Sequence, residues 1–251
     1  MADAAMQAEF DTVASWTADV ALDLGPDHHL PAACRGSGSP SALRWLLQRL
    51  APTPGDRMLD CGAGVGGPSA FARAETGIAP VLSEPEYGAC RAAQRLFGLP
   101  VVQARAPLPF PTAAFDLAWS LGVLCTVPDQ DAFVAELVRV LRPAGRLGLL
   151  VFVAPGPLDE QPEGNNFLAP DALRRLLAAH DLVVEDSASV ADFAAEPAEW
   201  QQRTTEVEDE LRRRHGDDPR WRAAADQSDV MGRLLADGRV TGELLTARLA
   251  A

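Results

Sequence analysis

The chain contains no lysine: all 22 of its basic residues are arginine. A Schiff-base enzyme and a P-loop nucleotide hydrolase both depend on a lysine amine, so both classes are excluded. Isoleucine occurs once, at Ile78, while alanine is abundant, the pattern of a GC-rich coding sequence. Cysteine is scarce as well. Cys34, Cys61, Cys90 and Cys125 form no Cys-x-x-Cys pair and no His/Cys cluster with zinc spacing, so no metal is expected and the thiols read as reduced and partly buried. Positive charge is in deficit, 22 basic against 35 acidic residues, for a formal net charge of −13. Such a surface repels a polyanion unless its arginines cluster, so nucleic acid is not an expected partner. No stretch approaches the roughly 20 apolar residues of a membrane span. The segment from Met1 to Met6 lacks the basic and apolar parts of a secretory signal. A soluble, cytoplasmic protein without a membrane partner is expected, and the sequence leaves its oligomeric state open.

What is present suits one large α/β domain: 251 residues, 47% hydrophobic and 23% charged. Met6, Phe10, Val13, Trp16 and Val20 recur at three- and four-residue steps and predict a helix from Ala4 to about Leu22. The run from Gly25 to Gly38 is rich in turn formers and reads as a loop. Ser39-Pro40 reads as N-cap and first residue of a helix reaching about Leu50. Beyond Pro54-Gly55, short apolar strands alternate with helices. Strands are predicted at Met58–Asp60, Val81–Glu84, Val101–Gln103, Phe115–Leu121, Arg146–Val153, Leu182–Asp186 and Val240–Ala250. Helices are predicted over Pro68–Ala74, from about Glu86 to Phe97, from about Gln130 to Leu141 (ended by Pro143 and Gly145), and from about Pro170 to His180. This alternation implies a mostly parallel sheet with helices on both faces. A charged helical stretch from about Glu196 to Asp237 interrupts the sheet before its last strand. The expected organisation is a helical cap (1–50), a Rossmann-like core (51–195), an acceptor-covering insertion (196–238) and the final strand (239–251).

The informative run is Asp60-Cys61-Gly62-Ala63-Gly64-Val65-Gly66-Gly67-Pro68, directly after the first strand. Glycines at 62, 64 and 67 satisfy the dinucleotide fingerprint, but a dinucleotide would set its pyrophosphate beside the Asp60 carboxylate. A ligand carrying a sulfonium and an ammonium, such as S-adenosylmethionine, is attracted there instead. Asp60 also suits a second role, as an acid that braces the loop. Glu84 closes the second strand 22 positions beyond Gly62, where this kind of fold places an acid for ribose hydroxyls.

Together with Leu108-Pro109-Phe110, Phe115-Asp116-Leu117 and the run Glu136 to Gly145, these residues resemble the successive motifs of class I S-adenosylmethionine-dependent methyltransferases. The resemblance is to the small-molecule group that includes quinone, sterol and sarcosine methylating enzymes, and it covers roughly residues 56–154 plus the last strand. It implies a seven-stranded sheet with an antiparallel last strand beside the fifth, S-adenosylmethionine as cofactor with S-adenosylhomocysteine as product, and a small-molecule acceptor. Carried over by position, Gly62, Ala63 and Gly64 would line the methionine part with Asp60, Glu84 would hold the ribose, and Pro85 and Glu86 would flank the adenine. Where the family often has an acid at the adenine amino group this chain has Ala104 or Arg105, followed by Ala106. Cys125 stands where the family often has a histidine. A non-methylating reaction on the same cofactor, such as cyclisation, or a non-catalytic cofactor-binding protein, are the alternatives.

Candidates on the acceptor side are fewer. Trp119 and Ser120, at the end of the fourth strand, fall near the methyl group by position, Trp119 alternatively being core. Trp200, Trp221 and Met231 either wall the acceptor pocket or pack the insertion onto the sheet. His180 and His215 suit the negative ends of helices. His28 and His29 lie in the segment expected to close over the cofactor. There a neutral imidazole could take an acceptor proton, or simply pack the lid.

Overall fold

Short apolar runs alternating with amphipathic segments build one seven-stranded sheet with helices on both faces. The computed structural model describes residues 8–34, 36–193 and 196–250. The cap opens with a π-helical segment, Ala8–Val13, that runs into α1 (Ala14–Leu24). A 3₁₀ turn (Pro26–His28), a short helix α2 (His29–Ala33) and α3 (Pro40–Leu50) complete it. Strand β1 (Met58–Cys61) leads through the glycine turn to α4 (Gly67–Thr76), and β2 (Pro80–Glu84) leads to α5 (Tyr87–Phe97). A long loop joins β3 (Val101–Gln103) to β4 (Phe115–Leu121). Then follow α6 (Gln130–Val140), β5 (Leu141–Val153), α7 (Pro170–Ala179) and β6 (Leu182–Ser189). The insertion is a helix pair, α8 (Ala198–His215) and α9 (Pro219–Ala236), before β7 (Thr241–Leu249).

The strand order is β3-β2-β1-β4-β5-β7-β6, with β7 antiparallel to both its neighbours and the other pairings parallel. The expected fold and its antiparallel strand beside β5 are therefore present. The order reverses between β1 and β4, which opens a crevice outside their carboxyl ends. Strand periodicity divides the core into two faces. Leu147, Leu149 and Val151 of β5 pack with Leu137, Leu177 and Leu245 on one side. Leu150, Trp119 and Leu117 pack with Leu43, Leu46 and Leu50 of α3 on the other. Helix α3 starts where the sequence predicts: Ser39 Oγ accepts from Ala42 N at 3.2 Å with Pro40 in the first turn.

The cap and the insertion share one apolar layer. Val207 and Leu211 of α8 are fully buried against Ala18, Val20 and Ala21 of α1, with Trp16 and Trp221 at its edge. Trp16 stacks flat on His215, ring centroids 3.9 Å apart.

Three expectations need correction. The run Gly25–Gly38 is not wholly a loop. Pro26 and Pro31 sit in first helical turns, where a missing N–H costs nothing, and Pro31, Ala32 and Ala33 are buried. Pro143 and Gly145 do not separate α6 from β5: the strand starts at Leu141, and a register shift in its pairing with β4, beside Ala144 at φ 59°, absorbs them. Strand β6 runs three residues beyond Asp186, to Ser189, with a register shift of its own between Val184 and Asp186. Met6 and the start of the predicted first helix lie outside the described residues.

Candidate active site

The turn after β1 is fixed from two sides. Gly62 N and Ala63 N both donate to Ser83 O, at 2.8 and 3.2 Å, which ties the turn to β2. At the start of α4, a Cβ on Gly67 would stand 2.3 Å from Ala33 O, so only glycine lets the end of α2 close onto this helix. Gly64, at φ 52°, has no neighbour in its Cβ direction. The turn thus presents backbone to open space, the geometry a ligand needs for close approach.

Two carboxylates lie beneath it. Glu84 is 5% exposed; its Oε2 accepts from Gly64 N at 2.8 Å and its Oε1 from Glu86 N at 3.0 Å. Burial outweighs these two donors and pushes its pKa up to about 7, with the Glu86 and Asp60 charges adding to the effect. Asp60 is 2% exposed and accepts from Ser69 Oγ at 2.7 Å. Burial again dominates and raises it to about 6, against the pull of Ser69 and Trp119. Trp119 Nε1 approaches this carboxylate yet has no full hydrogen bond. No arginine or histidine is hydrogen-bonded or ion-paired to either acid among the described residues. A cationic ligand here would relieve both.

The neighbouring loop is held by a clasp. Glu136 Oε2 accepts from Leu108 N at 2.6 Å, and Arg139 donates to Leu108 O, to Phe110 O and to both Glu136 oxygens. The Arg139 guanidinium holds the Glu136 carboxyl below its ordinary range. This clasp joins α6 to the Leu108-Pro109-Phe110 run and anchors the loop that carries Arg105 and Ala106. Arg105 itself is exposed and pairs with Glu86 Oε1 at 2.5 Å.

The roof comes from the stretch after α2. A Cβ on Gly122, just past β4, would lie 2.9 Å from Gly36 O, and Cys34 sits close enough to Asp60 for its thiol to feel that charge. Behind the roof is a cavity of about 280 Å³, bounded by Leu150, Phe152, Val190, Trp200 and Glu196. A larger depression, about 420 Å³, runs along Arg212–Asp218 and is lined by charged residues. Arg220 and Arg222 there are paired to Asp218 and Asp217.

Residues 59–149 match the family described as a methyltransferase domain. The chain is 32% identical over 123 residues to the methyltransferase GfsG of Streptomyces halstedii, covering 46% of this chain and 44% of that protein. It is 32% identical over 178 residues to the nocamycin O-methyltransferase of Saccharothrix syringae, covering 60% of this chain and 63% of the relative. The chain thus covers less than two thirds of either. The crystal structure of the cyclase SpnF superposes with a TM-score of 0.69 over 86% of this chain and 84% of that one, at 22% identity, a likeness of fold. By the family match, residues 59–149 are similar to a methyltransferase domain.

Within the matched region, Asp60, Gly62, Ala63, Gly64, Glu84 and Pro85 fall together around the glycine turn, as the motif spacing predicts. Asp60 also braces the loop through Ser69, so its two readings coexist. Ser120 lies at the end of β4 but its hydroxyl is committed to Cys61 O at 2.8 Å. Trp119 is fully buried and is core, with only its Nε1 turned towards the site. Cys125 is a buried thiol that donates to Gly122 O.

The acceptor-side expectations separate. Trp200 lines the cavity, whereas Trp221 packs beside Trp16 in the cap–insertion layer and is corrected to a brace. His28 and His29 are corrected too. His28 Nε2 bonds Glu206 Oε2 at 2.7 Å, and His29 stands edge-on to Phe97, the last residue of α5. The described residues of this segment that close onto the turn and the end of β4 are Ala33, against Gly67, and Gly36, against Gly122, because α2 carries the chain past the histidines. His180 sits just past the end of α7, bonded to Asp131. Sequence reasoning missed Glu196 as a cavity residue: one acid in a charged helical stretch has no pattern to distinguish it.

Proposed function

We propose that this chain transfers a methyl group from S-adenosylmethionine to a small-molecule acceptor by in-line displacement. The observation that carries the reading is the pair of buried acids, Asp60 and Glu84, set under an open glycine turn with no cation beside them among the described residues. A pyrophosphate would meet repulsion there, while a sulfonium and an ammonium are stabilised. When bound, the cofactor supplies an electrophilic methyl group.

The chain's own residues then hold and orient. Gly62, Ala63 and Gly64 present backbone to the methionine part, with Asp60 below. Glu84, whose oxygens accept from Gly64 N and Glu86 N, would hold the ribose. Pro85, Arg105 and Ala106 border the adenine, and Ser120 borders the reacting end. Cys34 and Gly36 exclude water from the strand ends, and the helical insertion with Trp200 confines the acceptor. Holding both partners in contact in a dry site provides much of the rate in such a displacement.

No described helix is long and apolar enough to cross a membrane. We propose a cytoplasmic protein that acts on small molecules; its net charge of −13 disfavours nucleic acid as a partner. The test is product analysis: incubation with S-adenosylmethionine and a metabolite extract should yield S-adenosylhomocysteine together with a metabolite heavier by one methylene. A product formed without methyl gain would favour the cyclisation alternative, and no product would favour a non-catalytic binder.

A further inference from the structure

The cavity behind the roof has an asymmetric polar inventory. Ser39 Oγ is taken up in capping α3, and Thr204 Oγ1 donates to Trp200 O at 3.0 Å. The Cys34 thiol is held neutral by burial. Glu196 remains. Its side chain is half-buried and has no hydrogen-bond or ion-pair partner among the described residues. Among the described residues, the titratable groups that face the same space are the neutral Cys34 thiol and, beyond it, the Asp60 carboxyl. The rest of the wall is apolar, with Pro31, Leu150, Phe152, Val190 and Leu235 around Trp200, and no arginine or histidine lines it among the described residues. Burial raises the Glu196 pKa above its ordinary value, which fits a carboxylate that lacks a donor.

A carboxylate in an apolar wall discriminates by charge. An acceptor bearing a carboxylate or phosphate at this point would lose hydration and meet repulsion, whereas a hydroxyl or amine supplies the missing donor. We propose that Glu196 selects the acceptor: the pocket takes a largely apolar, uncharged or cationic molecule that donates a hydrogen bond to Glu196, and it rejects anions. The inference rests on the methyltransferase reading for what the pocket is for, and on the pocket's own lining for what it takes.

The test uses the full chain loaded with S-adenosylhomocysteine and two probes of the same shape, naphthol and naphthoate, titrated by calorimetry. Wild type should bind naphthol at least tenfold more tightly than naphthoate, since like charges set against each other in a poorly solvated pocket are strongly disfavoured. In Glu196→Gln the gap should close to within about threefold, through tighter naphthoate binding, as removal of the like charge requires. Trp200→Ala should weaken both probes. Equal or tighter naphthoate binding by wild type, an unchanged gap in Glu196→Gln, or binding of neither probe would overturn the proposal. Titration of S-adenosylhomocysteine itself separates the two readings. Its failure to bind sinks the methyltransferase reading, while probe selectivity is still read on the unloaded chain.

Discussion

Replacing Glu84 by glutamine tests the charge stored under the glycine turn. The folded chain raises this carboxyl from 4.5 to about 7, chiefly by burial. The sign follows from linkage. The native state holds the proton more tightly than the unfolded state, so stability is greatest below about pH 4.5 and is lost as pH rises towards 7. At about 1.4 kcal/mol per pKa unit, the ionised group costs the ligand-free fold about 3 kcal/mol at pH 8. Glutamine keeps the shape and one acceptor but carries no charge. It leaves either Gly64 N or Glu86 N without its partner, a loss of about 1–3 kcal/mol at every pH. Asp60, raised to about 6 chiefly by its own burial, is present in both proteins, so most of its linkage cancels and only its coupling to Glu84, the smallest of the causes at Glu84, is left in the difference. The difference between wild type and Glu84→Gln should therefore change by about 2.5 kcal/mol between pH 5 and pH 8, with the variant relatively more stable at the alkaline end. For a chain of this size that is roughly 5–10 °C in melting midpoint. Thermal melts of both proteins across this range read it directly. A constant offset at all pH values would refute the reasoning, because it would mean that Glu84 ionises in the fold as easily as in water.

Further substitutions separate the acceptor side from the braces. Trp200→Ala should weaken acceptor binding at unchanged cofactor affinity, while Trp221→Ala should lower the melting midpoint by several degrees and leave both affinities alone; calorimetry and melts on the two variants decide. His28→Asn and His29→Asn should each keep turnover within about threefold, since one imidazole is bonded to Glu206 and the other stands edge-on to Phe97. A loss of about a hundredfold, the size expected for a removed general base, would restore a catalytic role.

The sheet was legible because its signal is local. Met58-Leu59-Asp60 running into glycines, and Glu84 at the end of the next strand, place the crevice without reference to anything distant. The same holds for Ser39-Pro40, where capping and proline chemistry mark a helix start within two residues. The run Gly25–Gly38 misled because proline and glycine are local breakers only when burial does not oppose them. Here Pro31, Ala32 and Ala33 are buried and the two prolines occupy first turns. His28 and His29 were misplaced for the same reason: the extra helical turns move the chain on, so that Ala33 and Gly36 reach the strand ends in their stead. Trp200 and Trp221 have identical local signatures, and only tertiary packing puts one at the cavity and the other against the cap–insertion layer around Val207 and Leu211. The Glu136–Arg139 clasp shows what the Glu-Leu-Val-Arg run does physically. It fixes a loop 28 residues upstream in sequence, a partner that spacing alone does not name.

The central claim is that the glycine turn over Asp60 and Glu84 is built for a cationic sulfur cofactor and not for a dinucleotide. Calorimetry at pH 8 with S-adenosylmethionine, S-adenosylhomocysteine and NAD, on wild type and on Glu84→Ala, tests it most directly. The account predicts binding of both sulfur ligands and none of NAD. In the variant both affinities should fall about tenfold to a hundredfold, the loss of a hydrogen bond to a charged group. Binding of NAD with no response to either sulfur ligand, or an unchanged affinity in Glu84→Ala, would contradict it.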